Sequence, residues 1–317
     1  MEYLPVEVIA WRVHLHTLYF NSNDWPVYHE LTTRRLDILI TRTIFQTRGL
    51  QCLSIIMDDV DEFTAAPVIA WLMYTRKSLR QLYIYNVRTS PAINIIEKCG
   101  RQKLQVLSLS HNTISGIEPS YQRFPCLKSL SLSHCSISAL DLSYLLAVCP
   151  KIEALTLLRL DIAMSDAQAS MELNSQSLED LSVEGVSLEK FILETDSLEK
   201  LQLKDCTLEV FELVGKGTLK LLKIGDVSVI HLDIGENTEN IEVVDVSTFS
   251  NLNHVDQVSH MISKASRLKG LRLWGVVFDD EDEIVDMQTI SLCFPQLTHL
   301  SLCYDLKEGL LQYNGEA

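Results

Sequence analysis

Leucine and other large apolar residues recur along this chain in the pattern L-x-x-L-x-L, where single, mostly polar residues separate the last two apolar positions. The pattern occurs twelve times. It starts at Leu15, Leu50, Leu79, Leu104, Leu127, Ile152, Leu178, Leu198, Leu219, Ile241, Leu268 and Leu297. Alternation of this kind predicts a strand with one buried face. A unit that recurs at intervals of 20–35 residues predicts a solenoid, in which each repeat buries its apolar face against its neighbours.

The intervals between these strands predict what lies behind them. They are 35, 29, 25, 23, 25 and 26 residues up to Leu178, then 20, 21 and 22 up to Ile241, then 27 and 29. The long repeats have room for helices, which are predicted at about 34–46, 68–74, 92–98, 139–147, 253–265 and 283–293. The short repeats contain a second alternating run, at 171–173, 188–193, 208–213 and 229–234, which predicts further strands.

The predicted fold class is therefore α/β, a leucine-rich-repeat solenoid of about twelve repeats in the shape of a horseshoe. Its convex side is expected to be helical up to about 150, β-stranded from about 169 to 235, and helical again after 253. The repeats span 15–304, and 305–317 form a C-terminal tail. The long concave sheet of such a solenoid is a binding surface.

Composition narrows the range of partners. The chain is 47% hydrophobic and has a net charge of −15, so nucleic acid is not expected as a partner. No run of about 18 uncharged apolar residues occurs, so no membrane partner is expected either. The first residues do not form a signal peptide, the eight cysteines contain no C-x-x-C pair, and N-x-S/T acceptors are absent. These features predict an intracellular protein, in the nucleus, the cytoplasm or both.

A different motif precedes the first repeat. Residues 4–9 are L-P-V-E-V-I; this start, followed by a leucine-rich array, resembles plant F-box/leucine-rich-repeat (F-box/LRR) proteins. The resemblance includes FNSNDWPVY at 20–28, TIFQT at 43–47, AWLMYTR at 70–76, CGRQKL at 99–104, RLWGVVFDD at 272–280 and YDLK at 304–307. It implies that an F-box binds a Skp-type adaptor, which links it to the cullin of an SCF-type ubiquitin ligase, while the repeats hold a protein substrate.

The chain departs from this family at the F-box itself. An F-box consists of helices, but only the five residues A-W-R-V-H at 10–14 separate Ile9 from the first repeat at Leu15, and their Trp11-Arg12 pair resembles the end of an F-box. We interpret 1–14 as a truncated F-box remnant or N-terminal cap, and the end at Ala317 as a shortened C-terminus. The remnant keeps four candidate adaptor-binding residues, Leu4, Pro5, Val8 and Ile9. So short a segment is not a stable helix alone, and impaired adaptor binding is therefore expected.

Two pairs of side chains are candidates for binding the protein partner. Tyr83 and Tyr85, and likewise Arg272 and Trp274, alternate with the leucines of their repeats and so face the concave side. Aromatic and arginine side chains often dominate the energy of an interface. The alternative is that either pair covers neighbouring strands or is covered by a loop.

Other clusters do not predict chemistry. His111 and His134 occupy equivalent places in adjacent repeats, and Cys135 completes a conceivable metal site; chance alignment of two surface imidazoles explains them better. The acidic runs at 58–62 and 279–283 are interpreted as solvated loops before helices. Catalytic motifs are absent, so the chain is not expected to be an enzyme, and neither a cofactor nor a metal is expected.

Two functions remain open. The first is the substrate-recognition subunit of a ubiquitin ligase. The second is a non-catalytic LRR scaffold or decoy, which binds a protein partner without recruiting a ligase. A transcript that restores a helical pair between Ile9 and Trp11 favours the first function.

Overall fold

The fold is seen in a computed structural model that describes residues 16–22, 31–118, 123–163, 170–247, 262–278 and 294–306. The chain divides into two compact units, Met1–Ala163 and Met164–Ala317. The predicted adaptor-binding residues Leu4, Pro5, Val8 and Ile9 lie outside the described residues.

The first unit is built from parallel strands, helices and short connecting strands. Its elements are β1 (Thr17–Asn21), α1 (Thr33–Gln46), β2 (Cys52–Thr64), α2 (Ala65–Thr75), β3 (Gln81–Ser90), α3 (Ile95–Lys98), β4 (Val106–Ser110), β5 (Thr113–Ile114), β6 (Ser129–Ser133), β7 (Ser136–Ser138), α4 (Ala139–Ala147), β8 (Ala154–Leu158) and β9 (Asp161–Ala163). The main sheet has the order β1-β2-β3-β4-β6-β8, and β5, β7 and β9 form a small second sheet. The small sheet was not predicted, because strands of two or three residues are too short to show alternation.

The main strands of the first unit align their leucines in register. Leu82 on β3 pairs with Leu107 on β4, which pairs with Leu130 on β6. All three are completely buried. The motif positions therefore form the continuous core that the repeat pattern predicts.

Helices lie behind this sheet in the first unit. Helix α1 buries Leu36, Ile40 and Ile44, which share one face of a helix. Trp71 of α2 is buried, and its Nε1 donates a hydrogen bond of 2.7 Å to Thr41 Oγ1. The helix predicted at 92–98 begins later than expected, at Ile95, because β3 continues to Ser90 and the Asn94 side chain caps α3 by accepting a bond from Glu97 N.

The second unit is built almost entirely from strands. Its elements are β10 (Ser170–Asn174), β11 (Asp180–Glu184), β12 (Ser187–Glu194), β13 (Lys200–Lys204), β14 (Thr207–Val214), β15 (Leu221–Gly225), β16 (Ser228–Asp233), a 3-10 helix (Gly235–Asn240), β17 (Val243–Ser247), β18 (Gly270–Phe278) and β19 (His299–Leu306). The main sheet has the order β11-β13-β15-β17-β18-β19, and the sheet behind it has the order β10-β12-β14-β16.

The second sheet confirms the strands predicted from about 169 to 235. Phe191 of β12 and Phe211 of β14 are completely buried in its core, with ring centroids 5.3 Å apart and planes at 78°. Most of the helices predicted at 253–265 and 283–293 lie outside the described residues, although 262–264 are helical. Strand β19 ends at Leu306, inside the segment assigned to the tail.

Most main strands reach a residue with positive φ at the same position of the repeat. These residues are Asn86, His111, His134 and Arg159 in the first unit, and Gly185, Asp205, Asp226 and Gly275 in the second. The left-handed conformation interrupts the extended backbone after the leucine motif, although β3 and β18 resume their pairing beyond it, and it costs a residue other than glycine roughly 1–2 kcal/mol. Because adjacent strands are parallel and about 4.8 Å apart, these side chains stand next to one another along one edge of each sheet.

Candidate functional site

The polar positions between the leucines form two rows on the exposed faces of the main sheets. In the first unit, the register aligns Tyr19, Ser54, Tyr83, Ser108, Ser131 and Thr156, here called the aromatic row. In the second unit, it aligns Ser182, Gln202, Lys223, Asp245, Arg272 and Ser301, here called the charged row. The two units thus present surfaces of different chemistry.

Tyr83 and Tyr85 lie next to small serine side chains of the neighbouring strands. Ser54 and Ser108 flank Tyr83 in the aromatic row and are buried. The Tyr85 hydroxyl forms a hydrogen bond with Ser108 Oγ. Burial, followed by the nearby Cys52 and Tyr85, raises the pKa of Tyr83, so its phenol stays protonated at neutral pH. These contacts fit the alternative that the tyrosines cover neighbouring strands, while both remain partly exposed; binding of a partner by this pair stays a prediction.

Arg272 and Trp274 differ from each other in their surroundings. Arg272 Nη1 lies 3.4 Å from Asp245 Oδ2, its neighbour in the charged row. Trp274 is 45% exposed, which is unusual for so large an apolar side chain. The register of β18 shifts directly after Trp274, where Gly275 has a φ of 66°. The indole is therefore partly exposed at the register shift of the strand, and its contact with a partner stays a prediction.

A depression of about 670 Å³ is lined by Arg272 of this pair, whereas Trp274 is not among its lining residues. Gly270, which has no side chain, also lines the depression, in register between Val243 and His299. A Cβ atom at Gly270 would lie 3.5 Å from a methyl group of Val243, an ordinary van der Waals contact. Val243 is 37% exposed there. Sequence reasoning missed this depression; its one sign was a glycine where other repeats begin their strand with a side chain.

Charged residues of alternating sign precede four consecutive main strands of the second unit. Glu199, Lys220, Glu242 and Lys269 stand immediately before β13, β15, β17 and β18. Lys220 Nζ lies 2.6 Å from Glu199 Oε1, and Lys269 Nζ lies 2.9 Å from Glu242 Oε2. The hydrogen bond to Glu199 raises the pKa of Lys220, and the bond from Lys269 lowers the pKa of Glu242. These exposed pairs give the edge of the sheet a fixed charge pattern that a partner can match.

At the conceivable metal site of His111 and His134, the third candidate ligand, Cys135, does not point towards the histidines but into the interior. Cys135 is buried, and its thiol lies 3.4 Å from Ser133 O and 3.6 Å from Leu109 O, in the interior. Burial raises the pKa of this thiol, which keeps it protonated and a poor ligand. Over the described ranges, no group of histidine, cysteine or acidic residues could hold a metal ion.

The interpretation of 58–62 as a loop was wrong. These residues belong to β2, which resumes its pairing with β3 at Asp61 after a register shift. Burial, followed by the charge of Asp59, raises the pKa of Asp61. Acidic composition suggested a solvated loop, but pairing with β3 keeps the segment in the sheet. The second acidic run, 279–283, lies outside the described residues.

Comparisons with known proteins agree with this architecture. Residues 68–213 match the family model of the LRR repeats of the FBD-associated F-box protein At5g56370. The chain is 58% identical to the F-box/LRR-repeat protein At1g67190 of Arabidopsis thaliana, in an alignment of 339 residues that covers 99% of this chain and 80% of that protein. The alignment is longer than the 317 residues of the chain, so the relative has residues that this chain lacks. In the described part of the chain, no helix is long and apolar enough to cross a membrane.

Proposed function

The chain belongs to the plant F-box/LRR-repeat proteins, and we propose that it binds a protein target through its repeats as the substrate-recognition subunit of an SCF-type ubiquitin ligase. The observation that carries this proposal is the exposed Trp274, which lies on the same strand as Arg272, a residue that lines the depression at Gly270. An exposed indole and an arginine are features of a protein-binding surface. Catalysis belongs to other subunits of such a complex.

The target-binding surface is tested by paired substitutions. Arg272→Ser with Trp274→Ser should abolish capture of a target identified by proximity labelling with the unaltered protein. Ile230→Ser is the matched control, because Ile230 is 71% exposed on the other sheet of the same unit. Equal capture by the paired variant and the control contradicts the assignment.

The aromatic row provides a second pair for the same assay. Tyr83→Ser with Tyr85→Ser should reduce capture if this pair also contacts the target. Tyr144→Ser is the control, because Tyr144 is 38% exposed on α4. Unchanged capture means that the two tyrosines only cover Ser54 and Ser108.

Adaptor binding by this form is proposed to be impaired. The support is the shortness of the segment 10–14, which lies between the L-P-V-E-V-I motif and the first repeat. A pull-down of a plant Skp-type adaptor should succeed with a version that carries an intact F-box inserted after Ile9, and fail with the chain as it stands. Capture by both versions means that Leu4, Pro5, Val8, Ile9 or the repeats make an adaptor contact, and the proposed impairment is then wrong.

Failure to bind the adaptor favours the second function. A form that keeps the target surface but lacks the adaptor contact is a scaffold or decoy, and it competes with the ligase-linked form for the same target. Adding it to a ubiquitination assay of the longer form should slow modification of the target. An intracellular location, in nucleus or cytoplasm, is part of either proposal and is tested by imaging.

The repeat spacing supports one further expectation about the fold. The motif recurs twelve times, and we propose a solenoid of about twelve repeats. Small-angle X-ray scattering of the whole chain tests the horseshoe that this number of repeats predicts.

A further inference from the structure

Basic side chains from four repeats surround a depression of about 470 Å³ at the carboxyl ends of the strands of the first unit. Its lining includes Arg88, His111, His134 and Arg159, together with Ser136 and Asp161. Neither arginine forms an ion pair within the described ranges. The chain as a whole has a net charge of −15, so such a group of bases stands out against its acidic composition.

The repeat architecture places these bases together. His111, His134 and Arg159 occupy the position of positive φ after β4, β6 and β8, with φ values of 58°, 51° and 47°. In the second unit, the described residues with positive φ at this position are Gly185, Asp205, Asp226 and Gly275. Glycine adopts this conformation without strain, and asparagine, aspartate and histidine adopt it more often than other residues do. Arginine is therefore the least usual residue here, and the first unit carries basic side chains where the described part of the second carries aspartate or glycine.

The two imidazoles are held in parallel with one nitrogen of each still free to bind. Their ring centroids lie 4.9 Å apart with planes at 7°. Nδ1 of His111 lies 2.8 Å from Ser110 Oγ, and Nδ1 of His134 lies 2.9 Å from Ser133 Oγ. Neither Nε2 atom has a hydrogen-bond partner among the described residues.

Ser110 Oγ connects His111 to Asn86. It lies 3.2 Å from Asn86 Oδ1, to which it can donate, and it accepts a hydrogen bond from Asn86 N. A neutral imidazole carries a proton on one of its two nitrogens, and both nitrogens are donors once the ring takes up a second proton. Burial, followed by the charges of His134 and Arg88, lowers the pKa of His111, so the ring is neutral at neutral pH.

We propose that this depression binds a phosphate-type dianion, such as a free phosphate ester or the phosphoryl group of a modified side chain. Arg88 and Arg159 supply fixed positive charge and hydrogen-bond donors, which suit phosphate oxygens. The two Nε2–H groups complete the site after proton uptake. Two carboxylates oppose the anion: Asp161 lines the depression, and Glu62 is the cross-strand neighbour of Arg88. The site is separate from the aromatic and charged rows, so its failure leaves the proposed target binding untouched.

Proton uptake gives the proposal a characteristic pH dependence. A bound dianion favours the charged imidazoles and raises their pKa values, so affinity should increase as the pH falls from about 8 to about 6. Sulfate keeps its double charge over this range, so a stronger affinity for sulfate at lower pH reports protonation of the protein and not of the ligand.

The test is a titration of the whole chain, labelled at its histidines, with inorganic phosphate, sulfate, and a glycine-flanked phosphoserine peptide with its unphosphorylated form. The expected result is a shift of the NMR signals of His111 and His134 with each anion and none with the unphosphorylated peptide. Tighter binding of the phosphopeptide than of phosphate identifies a modified side chain as the natural ligand; equal or weaker binding identifies a free phosphate. Absence of a shift with every anion at millimolar concentration overturns the proposal.

Two sets of variants separate charge from structure. Arg88→Gln with Arg159→Gln should weaken sulfate binding at least about tenfold. Arg35→Gln with Arg80→Gln makes the same change in net charge at exposed arginines outside the depression and should leave binding within about twofold. His111→Asn with His134→Asn suits the positive φ and should remove the pH dependence. Equal affinity in the two arginine variants, or an unchanged pH profile in the asparagine variant, contradicts the assignment.

Discussion

The two units build the same parallel sheet but support it in different ways. In the first unit, helices such as α1 and α4, of 14 and 9 residues, lie behind the main strands. In the second, β12 and β14 of 8 residues each pair in register as a sheet. The difference follows from spacing: the repeats that contain α1 and α4 are 35 and 25 residues long and have room for a helix and its two connections, whereas repeats of 20–22 residues return to the main sheet by an extended path. Repeat length thus selects the supporting layer, while the leucine positions stay the same.

The two units also differ at the carboxyl ends of their main strands. At the position of positive φ, the first unit carries Asn86, His111, His134 and Arg159, and the described part of the second unit carries Gly185, Asp205, Asp226 and Gly275. The same backbone position therefore presents basic side chains in the first unit and acidic ones in the second. A repeat fold can vary these positions independently, because each one affects only its neighbouring repeats.

The largest expected effect is at the aromatic core of the second unit. Phe211→Ala should destabilise the protein by about 3–5 kcal/mol, because it leaves a cavity beside Phe191. Ile230→Ala, on the neighbouring strand β16 but 71% exposed, should stay within about 0.5 kcal/mol of the unaltered protein. Urea unfolding followed by circular dichroism measures both. Similar values for the two variants would mean that the second sheet is not a close-packed layer.

Two glycines test whether both kinds of support pack equally closely. A Cβ atom would lie 1.9 Å from Arg76 O at Gly100 in the first unit, and 1.8 Å from Thr195 O at Gly215 in the second. Alanine at either position should cost about 1–3 kcal/mol or more, because backbone must move. Gly116→Ala is the control: no atom lies within 4 Å of its Cβ position, and only its positive φ opposes the change, by about 1 kcal/mol. A variant at Gly100 or Gly215 that is as stable as the control contradicts close packing in that unit.

Alkaline pH should weaken the helix-backed unit through two thiols. Burial raises the pKa of Cys99 to about 12, and that of Cys149 to about 12 with a contribution from Cys99. Below about pH 9 both thiols are protonated in the folded and unfolded states, and their contribution to stability does not change with pH. Above it the unfolded chain binds fewer protons, so stability falls by about 1.4 kcal/mol per pH unit per thiol until the folded thiols ionise.

The matched measurement uses denaturant midpoints at several pH values. Cys99→Ala with Cys149→Ala should lose stability less steeply between about pH 9 and about pH 11, although it starts from a lower value at neutral pH. Cys303→Ser should keep the original slope, because Cys303 is exposed. Identical slopes in all three proteins would show that the two thiols are not protected from ionisation by the fold.

Local patterns predicted the strands well, and contacts between distant residues account for what was missed. Alternating leucines placed each main strand, and the short intervals placed the strands behind them in the second unit. The depression at Gly270 could not be predicted, because it also depends on Val243, which is distant in sequence and is the cross-strand neighbour of Gly270. Cys135 directly follows His134 in the sequence, which suggested that both residues could bind the same metal ion. The positive φ of His134 instead directs Cys135 into the core. Sequence adjacency is a poor guide where the backbone reverses direction.

The smallest expected effect concerns how the helices of the first unit begin. Ser138 Oγ accepts a hydrogen bond of 3.0 Å from Asp141 N and caps α4, so Ser138→Ala should cost about 1 kcal/mol. Thr64 occupies the same position before α2 but its side chain makes no capping bond, and Thr64→Ala should change stability by only a few tenths of that amount. Thermal or urea midpoints of the two variants measure the difference. If both substitutions cost the same, helix capping does not contribute to the stability of the helix-backed unit, and the contrast between the units lies in their packed layers alone.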